Sequence, residues 1–440
     1  MTHMPNIVYI HSHDTGRYVQ PYGYAVQTPR IQQLAEQGVL FREAFSAAPT
    51  CSPSRAALLT GETPHQAGML GLAHRGFRLH HPERHLAHFL RDRGYETVLT
   101  GMQHLEEGDQ GNVGYTHDLR PDRLNVADVA PVAVDVIRSH DADDGPLFLD
   151  AGFEETHRPF LDPHDDPRWL RPPAPIPDSP QTREDMAGYL ASAAEYDRGV
   201  GMVLDALEAR GIREDTIVIC TTDHGLAFPG MKGTLTDHGV GVYLIISAPR
   251  NGFGGGRVID AMVSHMDVFP TLCEILSLEP PAWLRGASLV PLVTGDVERI
   301  HDELFGEVTF HATYEPMRSV RTPRWRYIRR FGGEQHPVLA NVDEGLSRDM
   351  WLAYNWEDHV VEEEALYDVV FDPMQRHNLA GAPAYRDTLA ELRDRISAWM
   401  RATDDPLLDG DVPLPDGARI NRRDAMSASE PLVETMDDSN

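Results

Sequence analysis

Cysteine is scarce in this chain, with three in 440 residues. Cys51, Cys220 and Cys273 form an odd, widely spaced set, so they offer neither a disulfide framework nor a CxxC metal site. Long apolar runs are missing too. No stretch approaches the ~20 apolar residues of a membrane span. The opening MTHMPNIVYIHSHD has no basic segment followed by a long apolar core, so no signal peptide is read and the cytoplasm is the expected location. Basic residues are the third shortage: 39 Lys and Arg against 68 Asp and Glu give a formal charge of −29. So acidic a chain is a poor partner for nucleic acid or an anionic membrane surface. If its ligand is an anion, the site must be a positive island in a negative protein.

What is present reads as alternating strand and helix. NIVYIH (6–11), ETVLTG (96–101), LFLDAGF (147–153), TIVICTTDHG (216–225) and VYLIIS (242–247) read as short buried strands. Helices are expected at 28–38, 85–93, 127–139, about 183–210 and 265–277. The alternation predicts an α/β fold: a mixed, mostly parallel sheet with helices on both faces. Beyond about residue 300 the pattern changes. LFGEVTF, MRSVRTPRWRYIRR and ALYDVVFDP look like strands with few helices between them, and a helix follows at about 385–402. The expected organisation is a catalytic α/β domain over 1–300, a smaller α+β domain over 301–402, and a Pro/Asp-rich tail over 403–440, either packed on the surface or disordered.

Open parallel sheets bind ligands beyond the carboxyl ends of their strands. Four strands here end in polar residues: HSHD (His11–Asp14), GMQH (His104), EETHRP (His157) and TTDHG (Asp223, His224). Asp14, Asp223 and His224, with or without His13, could hold a divalent cation. Carboxylates suit Ca²⁺ or Mg²⁺, and added imidazoles shift the preference toward Mn²⁺ or Zn²⁺. Turn and cap residues are the plain alternative, but caps would precede the strands rather than follow them.

PTCSPSRAALLTG (49–61) reads as a helix beginning near Pro53 and ending at Gly61, with Cys51 at its N-terminus. Free N–H groups and the helix dipole there predict a thiol of lowered pKa. A cysteine-phosphatase loop would need arginine where Ala57 stands, so that chemistry fits poorly.

CSPSRAALLTG resembles the signature of the formylglycine-dependent sulfatases, C-x-P-S-R followed by L-T-G. PNIVYI, TTDHG, MKGTLTDHGVGVYLII, SHMDVFPTL, GASLVPLVTG and ALYDVVFDPMQRHNLA resemble further landmarks of that family, so the likeness covers roughly 5–380. CSPSRAALLTGETPHQAGMLGL looks most like the heparan N-sulfatase (sulfamidase) branch. The resemblance implies an alkaline-phosphatase-like fold and hydrolysis of sulfate esters or sulfamates. It implies one divalent metal, Ca²⁺ in the family, and Cys51 converted to formylglycine by a formylglycine-generating enzyme. The hydrated aldehyde attacks sulfur, and its second hydroxyl then expels sulfate. By the same resemblance Cys51, Asp14, Asp223 and His224 are metal ligands, with His13 at the position of a further carboxylate. Arg55 holds the formylglycine and the carboxylates, His104 contacts the diol, and His157 and Lys232 contact the sulfate or the leaving group.

Three departures stand out. His13-Asp14 replaces Asp-Asp, Asp223-His224 replaces Asp-Asn, and Met102 replaces a lysine that normally touches sulfate. They leave open Mn²⁺ or Zn²⁺ as the metal, and a phosphodiesterase or phosphonate monoester hydrolase on the same scaffold. A catalytically dead binding protein is the third reading, and the intact signature weighs against it. The loop GLAHRGFRLHH, with His74 and Arg75, is consistent with a polar, sugar-like leaving group or with a solvated surface. The substrate expected is a small-molecule or saccharide sulfate.

Overall fold

The run Ile7–Ile10 has no polar alternation because both faces of its strand are covered. In a computed structural model that describes residues 4–106, 113–141 and 145–435, it forms the middle of β1 (Asn6–His11). Ile7 and Tyr9 pack with Ala56, Leu58 and Leu59. Val8 and Ile10, pointing the other way, pack with Val126, Val129, Val200 and Val203. The two-residue period of a strand thus feeds two separate cores.

The other strands are β2 (Val39–Phe45), β3 (Glu96–Leu99), β4 (His117–Asp118), β5 (Leu147–Gly152), β6 (Thr216–Thr221), β7 (Gly241–Val242), β8 (Leu244–Ser247) and β9 (Arg257–Ser264). They form a nine-stranded sheet in the order β4-β3-β5-β1-β6-β8-β2-β7, with β9 also on β2. From β4 to β6 every pairing is parallel. β8 then runs antiparallel to both β6 and β2. The expected mixed, mostly parallel sheet is present. Three of its strands, β2, β9 and the two-residue β4, are not expected from the sequence. Arg42 and Glu43 interrupt the apolar run of β2, and β9 is largely exposed over Arg257–Ala261.

Helices cover both faces: α1 (Pro29–Gln37), Val126–Ser139 and Pro180–Arg210 on one, and α2 (Cys51–Thr60), Leu86–Arg91 and Val268–Ile275 on the other. The long helix starts at Pro180, three residues before the expected boundary, because Ser179 and Thr182 close a reciprocal capping box around its first turn. The helix expected over 265–277 is a short 3-10 turn, His265–Asp267, leading into Val268–Ile275. No helix among the described residues is long and apolar enough to cross a membrane.

A second sheet, β10 (Leu304–Phe310), β11 (Tyr314–Arg321), β12 (Trp325–Arg330) and β13 (Glu364–Asp368), is an antiparallel meander with the helix Arg386–Ala402 against it. Arg318 is buried there, its Nε and Nη2 donating to Asp405 at 2.6 and 2.9 Å. His65 donates to Glu307 beside it at 2.8 Å, so His65, Glu307 and Asp405 form an ion-paired joint around Arg318. Residues 403–435 lie on the body. They carry the short pair β14 (Ile420–Asn421) and β15 (Leu432–Val433), and bury Val412, Ala418, Ile420 and Asn421. The last five residues of the expected tail lie outside the described residues.

Candidate active site

β3, β5, β1 and β6 are neighbours and all parallel, so their carboxyl ends open onto one edge of the sheet. The turns leaving them carry His104, His157, His13-Asp14 and Asp223-His224. Asp14 sits in left-handed backbone (φ 58°), a conformation an aspartate tolerates better than most residues. That turn directs its N–H to Asp223 Oδ1 at 2.9 Å. The N–H of His224 reaches the same oxygen, also at 2.9 Å. The two turns are therefore cross-braced before any side chain meets a ligand.

α2 supplies the third wall. It begins at Cys51, two residues before the expected start, because Thr50 is extended and acts as N-cap without a side-chain bond. Every residue of this helix is buried, and both serines of the motif have a partner. Ser54 donates to the carbonyl of Asp223 at 2.6 Å. Ser52 accepts from the N–H of Ala73 at 3.0 Å, fixing the turn that carries His74. Gly61 closes the helix in left-handed backbone (φ 72°), the conformation for which glycine is suited.

Ligating atoms of His13, Asp14, Cys51, Asp223 and His224 all lie within 4.8 Å of one another, and all five residues are buried. His13 Nδ1 is 2.8 Å from Asp14 Oδ1 and 3.3 Å from Asp223 Oδ2. His224 Nε2 is 3.2 Å from Asp14 Oδ1 and 3.4 Å from Cys51 Sγ. Two carboxylates and two imidazoles converging on one point fit a divalent cation in donor type and number. Each carboxylate also faces a cation. Lys232 Nζ donates to Asp14 Oδ2 at 2.7 Å, and Arg55 Nη2 donates to Asp223 Oδ2 at 3.0 Å. These are the positive groups that the chain's overall charge calls for.

The electrostatics follow from burial and these pairings. Burial pushes the Asp14 carboxyl up, but Lys232, His13, His157 and His224 together hold it well below the usual range. Asp223 is held low in the same contest by His224, His13 and Arg55. Burial lowers His13 to about 4 against the pull of Asp223 and Asp14, so it is neutral at pH 7. The thiol departs from the sequence expectation. Burial first, with Asp14 and Asp223 adding to it, raises Cys51 well above its ordinary value despite Lys232 and Arg55. An unmodified Cys51 is therefore a protonated thiol and no ready nucleophile.

His104 and His157 flank the cluster. His104 Nε2 meets His74 Nδ1 at 2.9 Å, while its Nδ1 is buried without a protein partner. Burial, with His13 and His74 nearby, holds His104 well below its ordinary value. His157 is partly exposed, with Nε2 3.4 Å from Lys232 Nζ and 3.8 Å from Asp14 Oδ2. All nine expected site residues thus come together. Sequence reading missed Asp343, whose carboxylate is 3.3 Å from Lys232 Nζ. It lies in the irregular connection between β12 and β13, with no motif to mark it. Of the loop singled out as substrate-side, His74 faces the site through His104. Arg75 is buried elsewhere, donating to Ala312 O and Asn421 Oδ1.

A parallel sheet edge bearing this cluster, with a cysteine-headed helix as its third wall, defines a hydrolase of the alkaline phosphatase superfamily. The sulfatase family model matches residues 5–278, and the chain belongs to that family. Human N-sulphoglucosamine sulphohydrolase is 28% identical, over 89% of this chain and 88% of that protein. An ulvan-active sulfatase of Formosa agariphila is 26% identical, over 98% of this chain and 79% of its own length. A solved structure described as bound to its substrate D-glucosamine-2-N,6-O-disulfate superposes with a TM-score of 0.74 at 16% identity, covering 93% of this chain and 100% of that one. A phosphonate monoester hydrolase of Agrobacterium radiobacter shares the fold at 0.70 and 21% identity, over 91% and 96% of the two chains.

Proposed function

We propose that this sulfatase hydrolyses a sulfate ester or sulfamate on a saccharide, through formylglycine made from Cys51 and with one divalent cation held by His13, Asp14, Asp223 and His224. The observation that carries the reading is the placement of Cys51. It heads a buried helix whose N-cap makes no side-chain bond, 3.4 Å from His224 Nε2, between two cation–carboxylate pairs. Its raised pKa fits a residue that must be converted before it can act. Formylglycine supplies a hydrated aldehyde as the nucleophile, and the cation supplies charge stabilisation for the transferring group.

The side chains divide the remaining work. Arg55 holds Asp223 in place. Lys232 is the one ammonium at the centre and binds a sulfate oxygen, a role normally shared with the lysine that Met102 replaces. His104, with its unpartnered Nδ1, accepts a proton from the hydroxyl at residue 51. His157, at the more open side, protonates the departing oxygen or nitrogen. The saccharide assignment rests on the polar side chains of His74, His157 and Asp343 grouped around His104 and Lys232, and on relatives named for N-sulphoglucosamine and ulvan. A formylglycine-generating enzyme is the required maturation partner.

Sulfate release from N-sulfated glucosamine, an O-sulfated sugar and an aryl sulfate, measured beside hydrolysis of a phosphodiester of the same phenol, tests the reading. Faster turnover of a sulfated sugar is expected. A phosphodiester rate above every sulfate rate would move the assignment to the phosphonate hydrolase reading, which the Asp223-His224 pair favours.

A further inference from the structure

Behind Arg55, on the side away from Asp223, lies a chain of buried polar groups that the reaction does not use directly. Arg55 Nη1 donates to His11 Nδ1 at 2.6 Å. His11 Nε2 meets Asp150 Oδ1 at 2.8 Å, and the Tyr115 hydroxyl donates to Asp150 Oδ2 at 2.5 Å. All four side chains are essentially inaccessible to solvent. The donor pattern fixes the protons. A guanidinium only donates, so His11 Nδ1 is the acceptor and Nε2 carries the hydrogen that goes to Asp150. Asp150 accepts from both sides, and its charge reaches Arg55 through a neutral imidazole.

We propose that His11 and Asp150 are positioning residues for Arg55, fixing the guanidinium so that it takes only one oxygen of Asp223. The geometry of Asp223 gives the reason. Its Oδ2 accepts from Arg55, while its Oδ1 accepts the N–H groups of Asp14 and His224. Arginine prefers to grip a carboxylate with both arms. With Nη1 held by His11 and Nη2 shared between Asp223 and the Ser12 carbonyl at 3.1 Å, the end-on grip through both Nη atoms is prevented, and Nε, turned away from Asp223 by the same anchoring, makes no bond to Oδ1. Oδ1 then stays with the backbone bonds that lock the Asp14 and His224 turns together. Asp150 supplies a second counter-charge on the far side, so Arg55 is not drawn wholly toward the cation site.

The surroundings are shaped for this arrangement. A Cβ on Gly152 would run into the His11 imidazole, so glycine there makes room for the ring. Tyr9 stacks on the opposite part of the ring, with centroids 4.4 Å apart and planes at 26°. A buried carboxylate with no direct cationic partner among the described residues is an expensive way to fill space, and apolar side chains would pack the same volume at lower cost.

The proposal rests on the role given to Arg55 above, and the test separates the two. Gln at position 11 can accept from Arg55 and donate to Asp150, whereas Leu fills the space and does neither. The variants are His11→Gln, His11→Leu, Asp150→Asn, the triple His11→Leu/Asp150→Leu/Tyr115→Phe, and Arg55→Lys as control. Each is measured for kcat and KM on an aryl sulfate, for Mn²⁺ affinity by calorimetry, and for melting temperature. His11→Leu and the triple variant are expected to lose about tenfold or more in kcat and in Mn²⁺ affinity, the scale of losses behind a metal site. His11→Gln should stay within about threefold of wild type, and Asp150→Asn should fall between. The triple variant, free of uncompensated charge, should melt near wild type and still be impaired, which keeps the test decisive if His11→Leu does not fold. Wild-type kcat and Mn²⁺ affinity in the folded triple variant, or His11→Gln as poor as folded His11→Leu, overturns the proposal. An unaffected Arg55→Lys overturns the role of Arg55 instead.

Discussion

Replacing His13 by aspartate restores the family's usual carboxylate and gives a prediction with a definite sign. In the native site two buried carboxylates, Asp14 and Asp223, face two permanent cations, Lys232 and Arg55. His13 is neutral between them, 2.8 and 3.3 Å from their oxygens. A third carboxylate would meet each neighbour with about 5 kcal/mol of repulsion at those distances and an effective dielectric of about 20. After side-chain relaxation to about 5 Å, about 3 kcal/mol per pair remains. Two such pairs amount to about 6 kcal/mol, within the total stability of an ordinary domain at about 5–15 kcal/mol. His13→Asp should therefore be close to unfolding in chelator and rescued by Ca²⁺, which an oxygen-rich site prefers. Wild type should be folded in chelator and stabilised more by Mn²⁺ or Zn²⁺ than by Ca²⁺. Thermal melts of both proteins in chelator and in each metal, with metal analysis of protein purified without additions, provide the measurement. A His13→Asp protein melting at the wild-type temperature in chelator, together with calcium as the native metal, would refute the reasoning.

Three further outcomes are expected. Peptide mass spectrometry of active protein should show the Cys51 thiol replaced by an aldehyde, and Cys51→Ala should retain less than about a hundredth of the rate while melting normally, a loss of roughly 2.7 kcal/mol or more; activity in wholly unmodified protein would contradict both. Met102→Lys should lower KM for an aryl sulfate about threefold to tenfold by restoring a cation, in line with the modest worth of one added charge contact near solvent; an unchanged or raised KM would mean that Met102 does not face the sulfate. Stability should fall in acid: burial holds His85 at about 4 and His265 at about 3, below the ordinary 6.5, so the unfolded chain binds these protons first. Each group's contribution is present above about pH 6.5 and lost as pH falls through its folded value, about 3 kcal/mol for His85, and His85→Asn, which keeps the helix cap, should flatten the acid limb of the melting profile.

Much of the site was legible because its residues follow strands. His13, Asp14, His104, His157, Asp223 and His224 each leave the carboxyl end of a run apolar enough to be recognised as buried, and parallel pairing brings those ends together. The order of the strands was not legible. β2 lies across the antiparallel half of the sheet, yet Arg42 and Glu43 disguise it. Asp343 was hidden for another reason: its closeness to Lys232 spans 111 residues of chain and depends on how the second sheet meets the first. The thiol was misjudged because a helix N-terminus promises a low pKa only where solvent or uncompensated cations remain. At Cys51 burial and two carboxylates prevail.

Arg75 carries a consequence for the order of events during synthesis. Its guanidinium is held by Asn421 and by the carbonyls of Ala312 and Ala428, and its own carbonyl accepts from Arg419. The turn bearing His74 therefore reaches its final form only once residues 419–428 have left the ribosome. Cys51, 3% exposed once folding is complete, is by then out of reach of any second enzyme. On the proposed function, conversion of Cys51 would have to precede the docking of this segment, whose arrival would close the interval for it. Synonymous changes that slow translation of the codons for residues 403–428 should then raise the converted fraction, and changes that speed it should lower it.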